Sequence, residues 1–225
     1  MSNYRLNPPI SSSRYVHLIR LRDKTLSYLK DYIDPKKKNI LLDFGCGDMP
    51  YKELISPMVN FYLGVDLKIN PIADHHIDFN SKTALPDEHA DIILSNQVLE
   101  HVDSPESYLQ EAHRLLKKDG FILLSTHGYW FYHPTPFDYW RWTSAGLRKT
   151  IEKEGFEIVR FEGIMGLTAS GLQLTQDGLI HKMPGFLRPV FSFIMQRLIF
   201  LFDKVHSQEQ RNKDASLYIL IARKI

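Results

Sequence analysis

NILLDFGCGDMPY, at residues 39–51, is the most informative stretch of the chain. Residues 39–44 form a short apolar run, which is typical of a fully buried parallel strand. Gly45, Cys46 and Gly47 follow directly, so the strand is expected to end in a glycine turn where the backbone can approach a ligand closely. Ligands of an open α/β sheet bind beyond the carboxyl ends of its strands. The sequence therefore predicts a binding site at this turn.

Strands and helices alternate along most of the remaining chain. Further strands are predicted at residues 61–66, 76–79, 91–95, 121–125, 157–161 and 217–222. Helices are predicted at residues 15–33, within residues 50–57, from Pro105 onward and at residues 144–154. Ser104 can cap the helix that starts at Pro105. Lys117, Lys118 and Gly120 are typical of the end of that helix. The alternation predicts an α/β fold with a mostly parallel sheet covered by helices on both faces.

Composition and charge narrow the class of protein. The chain has 225 residues, 44% hydrophobic and 24% charged, which is an average globular mixture and excludes a disordered or coiled-coil chain. The 28 Lys and Arg against 26 Asp and Glu leave a net charge of +2, so bulk electrostatics do not favour a nucleic-acid partner. Cys46 is the single cysteine, which excludes a disulfide framework and fits a reducing compartment. Because the N-terminus also lacks an apolar leader, a cytoplasmic location is expected.

Acidic residues around the glycine turn indicate the charge of the ligand. Asp66 ends the second predicted strand 19 residues after Gly47, near the spacing expected of a carboxylate that accepts ribose hydroxyls. Pro50 stands where a dinucleotide fingerprint needs a small residue, and Asp48 would repel a pyrophosphate. Asp43 adds a further carboxylate just before the turn. This pattern argues against NAD or FAD and favours an adenosine ligand that carries positive charge.

A larger set of segments carries a family resemblance. The segments are LLDFGCGDMPY at residues 41–51, GVD at 64–66, LP at 85–86 and ADIILSNQVLEHVDSPESYLQEAHRLLKKDGFILLSTH at 90–127. Together they resemble class I S-adenosylmethionine-dependent methyltransferases of the broad ubiquinone/biotin-biosynthesis-like group, over residues 39–161. The resemblance implies a Rossmann-like sheet of seven strands, with the last strand antiparallel and placed between the fifth and the sixth. The methyltransferase domain is expected at residues 35–225. Residues 1–34, which are Pro/Ser-rich at first and then apolar at helical spacing, are expected to form a helical extension before it.

The same resemblance implies which residues contact S-adenosylmethionine. Asp43 and the glycine turn would line its methionine portion, Asp66 would hold the ribose hydroxyls, and Asp78 would flank the adenine. The cofactor contacts expected on this basis are Asp43, Gly45, Cys46, Gly47, Asp66, Leu67, Asp78, Phe79, Asn96 and Gln97. The chemistry agrees, because a sulfonium and an ammonium are stabilised by carboxylates and carbonyl oxygens rather than by a cradle of amides for phosphate.

The acceptor side of such a sheet is expected just after the fifth strand, at residues 127–143 (HGYWFYHPTPFDYWRWT), where eight of 17 residues are aromatic. A hydroxyl acceptor benefits from a general base, for which the candidates are His127, His133 and His101. The predicted acceptor contacts are Tyr132, Asp138, Tyr139, Trp140 and Arg141. The aromatic rings would stack on a sugar ring, and the Arg141 guanidinium would bind a phosphate group on that sugar through two hydrogen bonds. The alternative is structural: the rings pack on the sheet edge and Asp138 pairs with Arg141. His101, beside Glu100, is equally typical of a packing residue.

The function expected from these features is O-methylation of a sugar, glycan or other small hydroxyl acceptor. Residues 127–143 also resemble the HPxPxDYWR-[WY]-T box of bacterial methyltransferases found among cell-surface polysaccharide enzymes, which favours polysaccharide biosynthesis. The alternative is a catalytically silent S-adenosylmethionine-binding protein that acts as a partner or scaffold subunit. No metal is expected, because neither His75, His76 and Asp78 nor the pair His127 and His133 forms a convincing ligand set.

A helical insert is predicted at residues 164–214, far longer than an ordinary connection. Within it, residues 186–202 (FLRPVFSFIMQRLIFLF) approach the length and hydrophobicity of a membrane span. Pro189 and the charges of Arg188 and Arg197 disfavour a span. Three possibilities remain for this segment: a buried lid helix, a homodimer interface, or a helix lying in the plane of a membrane surface.

Overall fold

The computed structural model describes residues 4–225, which form one seven-stranded sheet in the order β3-β2-β1-β4-β5-β7-β6. The strands are β1 Ile40–Phe44, β2 Phe61–Leu67, β3 His75–Ile77, β4 Ala90–Asn96, β5 Leu116–His127, β6 Phe156–Gly166 and β7 Ala215–Lys224. All neighbouring pairs are parallel except those of β7, which runs antiparallel to both β5 and β6. The predicted sheet is confirmed, including the position of its last strand.

Helices cover both faces of this sheet. They are α1 Tyr15–Tyr32, α2 Lys52–Ile55, α3 Pro105–Leu115, α4 Ser144–Lys153, α5 Leu167–Ile180, α6 Arg188–Phe202 and α7 Gln208–Lys213. Alternate residues of β1 serve the two faces: Leu41 belongs to the buried cluster that includes α1, and Leu42 to the cluster that includes α3 and α4. Because both faces are covered, the strands are apolar throughout rather than alternating.

The helix predicted near the N-terminus is α1, whereas residues 1–3 lie outside the described part of the chain. Val16, Tyr28 and Leu29 of α1 are fully buried in the same cluster as β1, β5 and β7. The helix therefore packs on the sheet itself, and its N-terminal end reaches the carboxyl edge of the strands.

The predicted end of the helix after β4 is wrong by several residues. Ser104 caps α3 as expected, accepting a hydrogen bond from the Ser107 N–H at 3.1 Å, but the helix ends at Leu115. Lys117 and Gly120 lie in β5 instead. Lys117 pairs with Asp91 of β4 at 2.9 Å, and a Cβ on Gly120 would come within 2.9 Å of the Lys117 carbonyl oxygen. The lysine and glycine thus serve strand pairing and close backbone approach, not the helix terminus.

The insert begins later than predicted, because β6 continues to Gly166. It consists of α5, α6 and α7, and α6 starts next to Pro189 as the sequence indicates. One helical stretch in the described chain, Gly185–Val205, is long and apolar enough to cross a membrane by those two criteria alone.

Candidate active site

A cavity of about 680 Å³ opens at the carboxyl ends of β1, β2, β4 and β5. Its walls come from the loops after these strands and from the N-terminal half of α1. The structure brings together there all ten residues expected to contact the cofactor: Asp43, Gly45, Cys46, Gly47, Asp66, Leu67, Asp78, Phe79, Asn96 and Gln97. The cavity volume lies in the ordinary range for a small-molecule site.

The glycine turn after β1 has the geometry that its composition predicts. Gly45 has φ +82°, and a Cβ there would lie 2.5 Å from the Val98 side chain. The N–H groups of Gly45 and Cys46 both donate to the Val65 carbonyl oxygen, at 2.8 and 3.1 Å. The turn is therefore fixed to β2, and only a glycine at position 45 allows the Val98 side chain to pack against it.

The Asp66 carboxylate connects the end of β2 to the glycine turn after β1 through hydrogen bonds. Its Oδ2 accepts hydrogen bonds from the Gly47 N–H and from Asn70 Nδ2, both at 2.8 Å, and its Oδ1 accepts from the Leu67 N–H at 2.8 Å. These donors hold the carboxylate at the end of β2, on the cavity wall. This is the position from which a carboxylate can accept the two hydroxyls of a ribose.

Asp43 presents a buried carboxyl on the same wall. The residue is 4% exposed, and its carboxylate accepts a hydrogen bond from the Tyr62 hydroxyl, a neutral group. Burial raises the pKa of Asp43 to about 7, against the opposing effect of that hydrogen bond. A buried carboxyl with a neutral donor fits a cationic ligand, because the cation would stabilise its ionised form.

The side-chain amides of Asn96 and Gln97, at the end of β4, form another polar part of the cavity wall. The Ser125 hydroxyl donates a hydrogen bond to Asn96 Oδ1 at 3.0 Å and accepts one from Gln97 Nε2 at 3.1 Å. Asn96 Nδ2 and Gln97 Oε1 are buried and have no hydrogen-bond partner among the described residues. Since unpaired buried polar atoms are costly, these two atoms fit a site that is completed by a bound ligand.

Four histidines line the opposite part of the cavity: His17, His101, His127 and His133. The His133 ring lies 4.8 Å from that of His127 and 5.0 Å from that of His101, measured between centroids. The sequence did not point to His17, since only the packing of α1 over the end of β5 brings it here. Burial, with Arg14 nearby, lowers the pKa of His17 to about 3, so its imidazole is neutral.

His133 is supported by a carboxylate in its own loop. Its Nδ1 lies 3.4 Å from Asp138 Oδ2, and the same oxygen accepts the His133 N–H at 2.8 Å. Burial would raise the pKa of Asp138, but hydrogen bonds from Arg141 and from His133 lower it to about 2. Burial lowers the pKa of His133, while the Asp138 charge opposes that shift. His133 is therefore a neutral imidazole with a charged acceptor at Nδ1.

His127 is more enclosed than His133. It is 2% exposed and stacks on Trp130 at 4.7 Å between ring centroids, with its Nε2 3.2 Å from Glu100 Oε1. Burial raises the pKa of Glu100 to about 7. Ligand atoms of Glu100, His127 and His133 lie within 4.8 Å of one another, which is close enough to hold a metal ion. The expectation that no metal is needed therefore stays a prediction.

The structure corrects the predicted role of Arg141. Its Nε donates to the Trp130 carbonyl oxygen, and its two terminal nitrogens donate to both oxygens of Asp138 at 2.7 Å and to the carbonyl oxygens of Phe131 and Trp140. All five N–H donors are thus used inside the loop, so none is left to bind an anionic acceptor. The structural alternative, an Asp138–Arg141 pair, is the arrangement observed.

Of the remaining predicted acceptor contacts, Tyr139 lines the cavity. Tyr132 is 72% exposed and does not line it. Trp140 donates its indole N–H to the Val102 carbonyl oxygen at 2.8 Å, which fixes the loop to the chain after β4. Residues from the same loop that do line the cavity, beyond the histidines, are Trp130, Phe131, Thr135, Pro136 and Phe137.

The antiparallel last strand, the glycine turn, the acid that ends β2 and the cavity between them define a class I S-adenosylmethionine-dependent methyltransferase domain. The donor set also fits this cofactor, since a buried carboxyl and unpaired amide groups face the cavity. A family model described as "Methyltransferase domain" matches residues 15–159, more than half of the chain. The chain belongs to this family.

Curated relatives carry methyltransferase names. The chain is 28% identical over 136 residues to the ubiquinone biosynthesis O-methyltransferase of Glaesserella parasuis, covering 52% of this chain and 57% of that protein. It is 26% identical over 133 residues to a probable S-adenosylmethionine-dependent methyltransferase of Mycolicibacterium smegmatis, covering 52% of each. The chain thus spans about half the length of the curated relatives it matches.

Solved structures agree on the fold. The [4+2]-cyclase SpnF has a TM-score of 0.59 at 18% identity, over 90% of this chain and 80% of that one. Haemonchus contortus phosphoethanolamine N-methyltransferase 2, in complex with S-adenosyl-L-methionine, has a TM-score of 0.56 at 17% identity, over 89% of this chain and 52% of that one. At these identities the likeness concerns the fold alone.

Proposed function

We propose that this chain transfers a methyl group from S-adenosylmethionine to a hydroxyl oxygen of a small acceptor, of which a sugar or glycan is the class we favour. The observation that carries the proposal is His133, which lies on the cavity wall beside the cofactor-binding loops and whose Nδ1 is 3.4 Å from the Asp138 carboxylate. A base is needed for a hydroxyl acceptor, whose proton must leave as the oxygen attacks. The ubiquinone biosynthesis O-methyltransferases among the relatives are named for the same type of transfer.

His133 is the best placed of the three candidate bases. The Nδ1–H of His133 faces the Asp138 carboxylate and the Phe131 carbonyl oxygen, which leaves Nε2 with its lone pair. His101 is less suitable, because its Nδ1 is engaged by the Phe137 carbonyl oxygen, and in His127, whose Nε2 faces Glu100, the second ring nitrogen is enclosed. His133 is also less buried than His127, so an acceptor can approach it more readily.

Different residues of the chain have separate roles in the proposed transfer. When bound, S-adenosylmethionine supplies an electrophilic methyl group on a positively charged sulfur. His133 Nε2 accepts the proton of the acceptor hydroxyl, and Asp138 stabilises the imidazolium that forms. Asp43 and Asp66 hold the cofactor in position, so that the acceptor oxygen and the methyl group can be aligned. The aromatic loop at residues 127–143 forms one wall of the cavity and limits the access of water from that side.

A carbohydrate acceptor is supported by the lining of the cavity. Phe137 and Tyr139 contribute aromatic surface that can pack against the C–H faces of a sugar ring, and the histidines supply hydrogen-bonding groups at its rim. The Arg141 clamp that would have favoured a phosphorylated sugar is used within the loop. The proposal is therefore a sugar hydroxyl, without a requirement for a phosphate at this position.

Transfer of labelled methyl groups tests the proposal. The purified chain is incubated with methyl-labelled S-adenosylmethionine and a panel of free sugars, nucleotide sugars, lipid-linked sugars and phenols. We expect label in a hydroxyl acceptor, lost in His133→Ala and kept in His181→Ala, a control at an exposed histidine. A chelator should leave the rate unchanged, since this mechanism uses no metal. Tight cofactor binding without transfer to any acceptor would instead favour the silent binding protein.

A further inference from the structure

The α5 and α6 helices of the insert have their polar sides turned inward. Gln173, Gln176 and Gln196 are at most 2% exposed, and Ser170 and Ser192 are buried as well. The two helices pack against each other and against α1 or the sheet through these residues. A surface helix of a soluble domain ordinarily shows the reverse pattern, with its apolar side inward.

Hydrogen bonds explain why the glutamines are buried. The Nε2 groups of Gln173, Gln176 and Gln196 all donate to the Ser13 carbonyl oxygen, at 3.1, 2.8 and 3.0 Å. Gln196 Oε1 accepts the Val16 N–H at 2.8 Å. This network attaches the helix pair to the start of α1, which walls the cavity. These hydrogen bonds therefore hold the polar side chains in the interior of the domain, away from its surface.

The outer side of the pair is consequently apolar. Its exposed fractions range from 38% for Leu174 and 39% for Phe193 to 80% for Phe186. The exposed apolar residues on this surface are Leu174, Leu179, Phe186, Leu187, Val190, Phe193, Ile194, Leu201 and Phe202. So many exposed apolar side chains on two neighbouring helices indicate a contact with a membrane or with another protein.

Charge distinguishes between these two partners. Between Asp177 and Asp203 the sequence has no acidic residue but contains Lys182, Arg188 and Arg197. The two flanking aspartates are themselves paired inward, Asp177 with Arg14 and Asp203 with Arg20. An apolar surface whose charged residues within 178–202 are all cationic complements an anionic lipid surface. A second copy of the same surface would instead bring like charges together across a twofold axis.

We propose that the outer face of α5 and α6 binds the surface of an anionic phospholipid bilayer, with α6 lying in the plane of the membrane. Although the helical stretch Gly185–Val205 is long enough to cross a bilayer, its Ser192, Gln196 and Asp203 side chains are buried within the domain. Its inner side is also bonded to α1 through Gln196. The geometry thus supports a helix on the membrane rather than across it.

Vesicle sedimentation with the full chain tests this inference. One set of vesicles contains phosphatidylcholine alone and the other equal parts of phosphatidylcholine and phosphatidylglycerol. We expect the chain to sediment with the anionic vesicles, less at high salt and much less with phosphatidylcholine alone. Val190→Asp with Ile194→Asp should weaken partition by about tenfold, because both side chains enter the acyl boundary. Ile225→Asp, at a residue that is 76% exposed on the other end of the chain, should change nothing.

A charge variant makes the test independent of the apolar substitutions. Arg197→Glu is expected to weaken partition to anionic vesicles while S-adenosylmethionine binding, measured in parallel, shows that the protein is folded. Absence of wild-type binding to anionic vesicles would overturn the inference, as would equal losses for Ile225→Asp. A wild-type dimer by light scattering that becomes a monomer in Ile194→Asp, without vesicle binding, would assign the face to a second copy of the chain.

Discussion

At the scale of single residues, Asp43 links the burial of a carboxyl to the charge of its ligand. Its pKa is raised to about 7, from the usual value of about 4, so the carboxyl is largely neutral at pH 6 and largely ionised at pH 8. A cationic ligand binds the ionised form more tightly. Binding therefore requires loss of a proton when the pH lies below this pKa, and the proton is lost more easily as the pH rises.

We predict that the affinity for S-adenosylmethionine increases with pH between about 6 and 7, by up to about tenfold per pH unit. In Asp43→Asn the affinity should be lower and nearly independent of pH, because the titrating carboxyl is gone. Asp48→Asn, at an exposed carboxylate of the same turn, is the matched control and should keep the wild-type slope. Calorimetric titrations at several pH values measure this dependence. An equal slope in wild type and Asp43→Asn would contradict the prediction.

His133 gives a second pH dependence, that of kcat, which is expected to fall as the pH is lowered. Its pKa lies below the ordinary value of about 6.5, so the imidazole is already a free base at pH 7. We predict that kcat at saturating cofactor falls as the pH is lowered through this pKa and gains little above pH 7. His133→Gln should lower kcat by about 10²- to 10³-fold.

Asp138→Asn provides the sharper form of this test. The Asp138 charge raises the pKa of His133, so its removal should move the acid limb of the profile to lower pH while also lowering kcat. Profiles of kcat against pH for wild type, His133→Gln and Asp138→Asn are compared. If the wild-type acid limb persists unchanged in His133→Gln, another group is the base, and His101 and His127 are next to be tested.

At the scale of elements, the loop at residues 127–143 is held by Arg141. We predict that Arg141→Ala lowers the free energy of unfolding by about 2 kcal/mol, because charged hydrogen bonds to Asp138 are lost and that carboxylate stays poorly solvated. Urea denaturation measures this loss, and cofactor affinity should change little. Unaltered stability together with a raised KM for an anionic acceptor would restore the role first expected from the sequence.

The strands and the glycine turn could be predicted because their signals are local. β1 and β4 are apolar runs because both sheet faces are covered, and Gly45 follows β1 directly because the turn requires positive φ. The boundary between α3 and β5 was misplaced for a related reason. A lysine pair followed by glycine is typical of a helix end, yet Lys117 pairs across to β4. Only the tertiary partner distinguishes these two cases.

The histidine cluster could be predicted only in part. His127 ends β5 and His133 follows it in sequence, so both lie near the carboxyl edge, as expected. Their relation to Glu100 depends on β4 and β5 being neighbours, and the presence of His17 depends on how α1 crosses the sheet. Arg141 donates hydrogen bonds to three carbonyl oxygens of its own loop. The spacing of residues in the sequence cannot predict such contacts.

At the scale of the whole molecule, residues 35–225 need the N-terminal helix α1 in order to fold stably. Val16, Tyr28 and Leu29 of α1 are fully buried against the sheet, and His17, Leu18 and Leu21 line the cavity. The buried glutamines of α5 and α6 donate to the Ser13 carbonyl oxygen just before α1, and Gln196 also accepts the Val16 N–H of α1. Without it, apolar sheet surface and three unpaired amides would be exposed or unsatisfied.

We therefore predict that a chain beginning at residue 35 loses cooperative unfolding and S-adenosylmethionine binding together, although every cofactor contact expected from the sequence is retained. Thermal unfolding followed by circular dichroism and calorimetric titration of the cofactor measure the two properties. Removal of residues 1–3 alone is the control and should leave both intact, because α1 and the segment that carries Ser13 remain. A stable, cofactor-binding fragment would show that α1 is an accessory lid, and the sheet would then have to be protected by another surface of the chain.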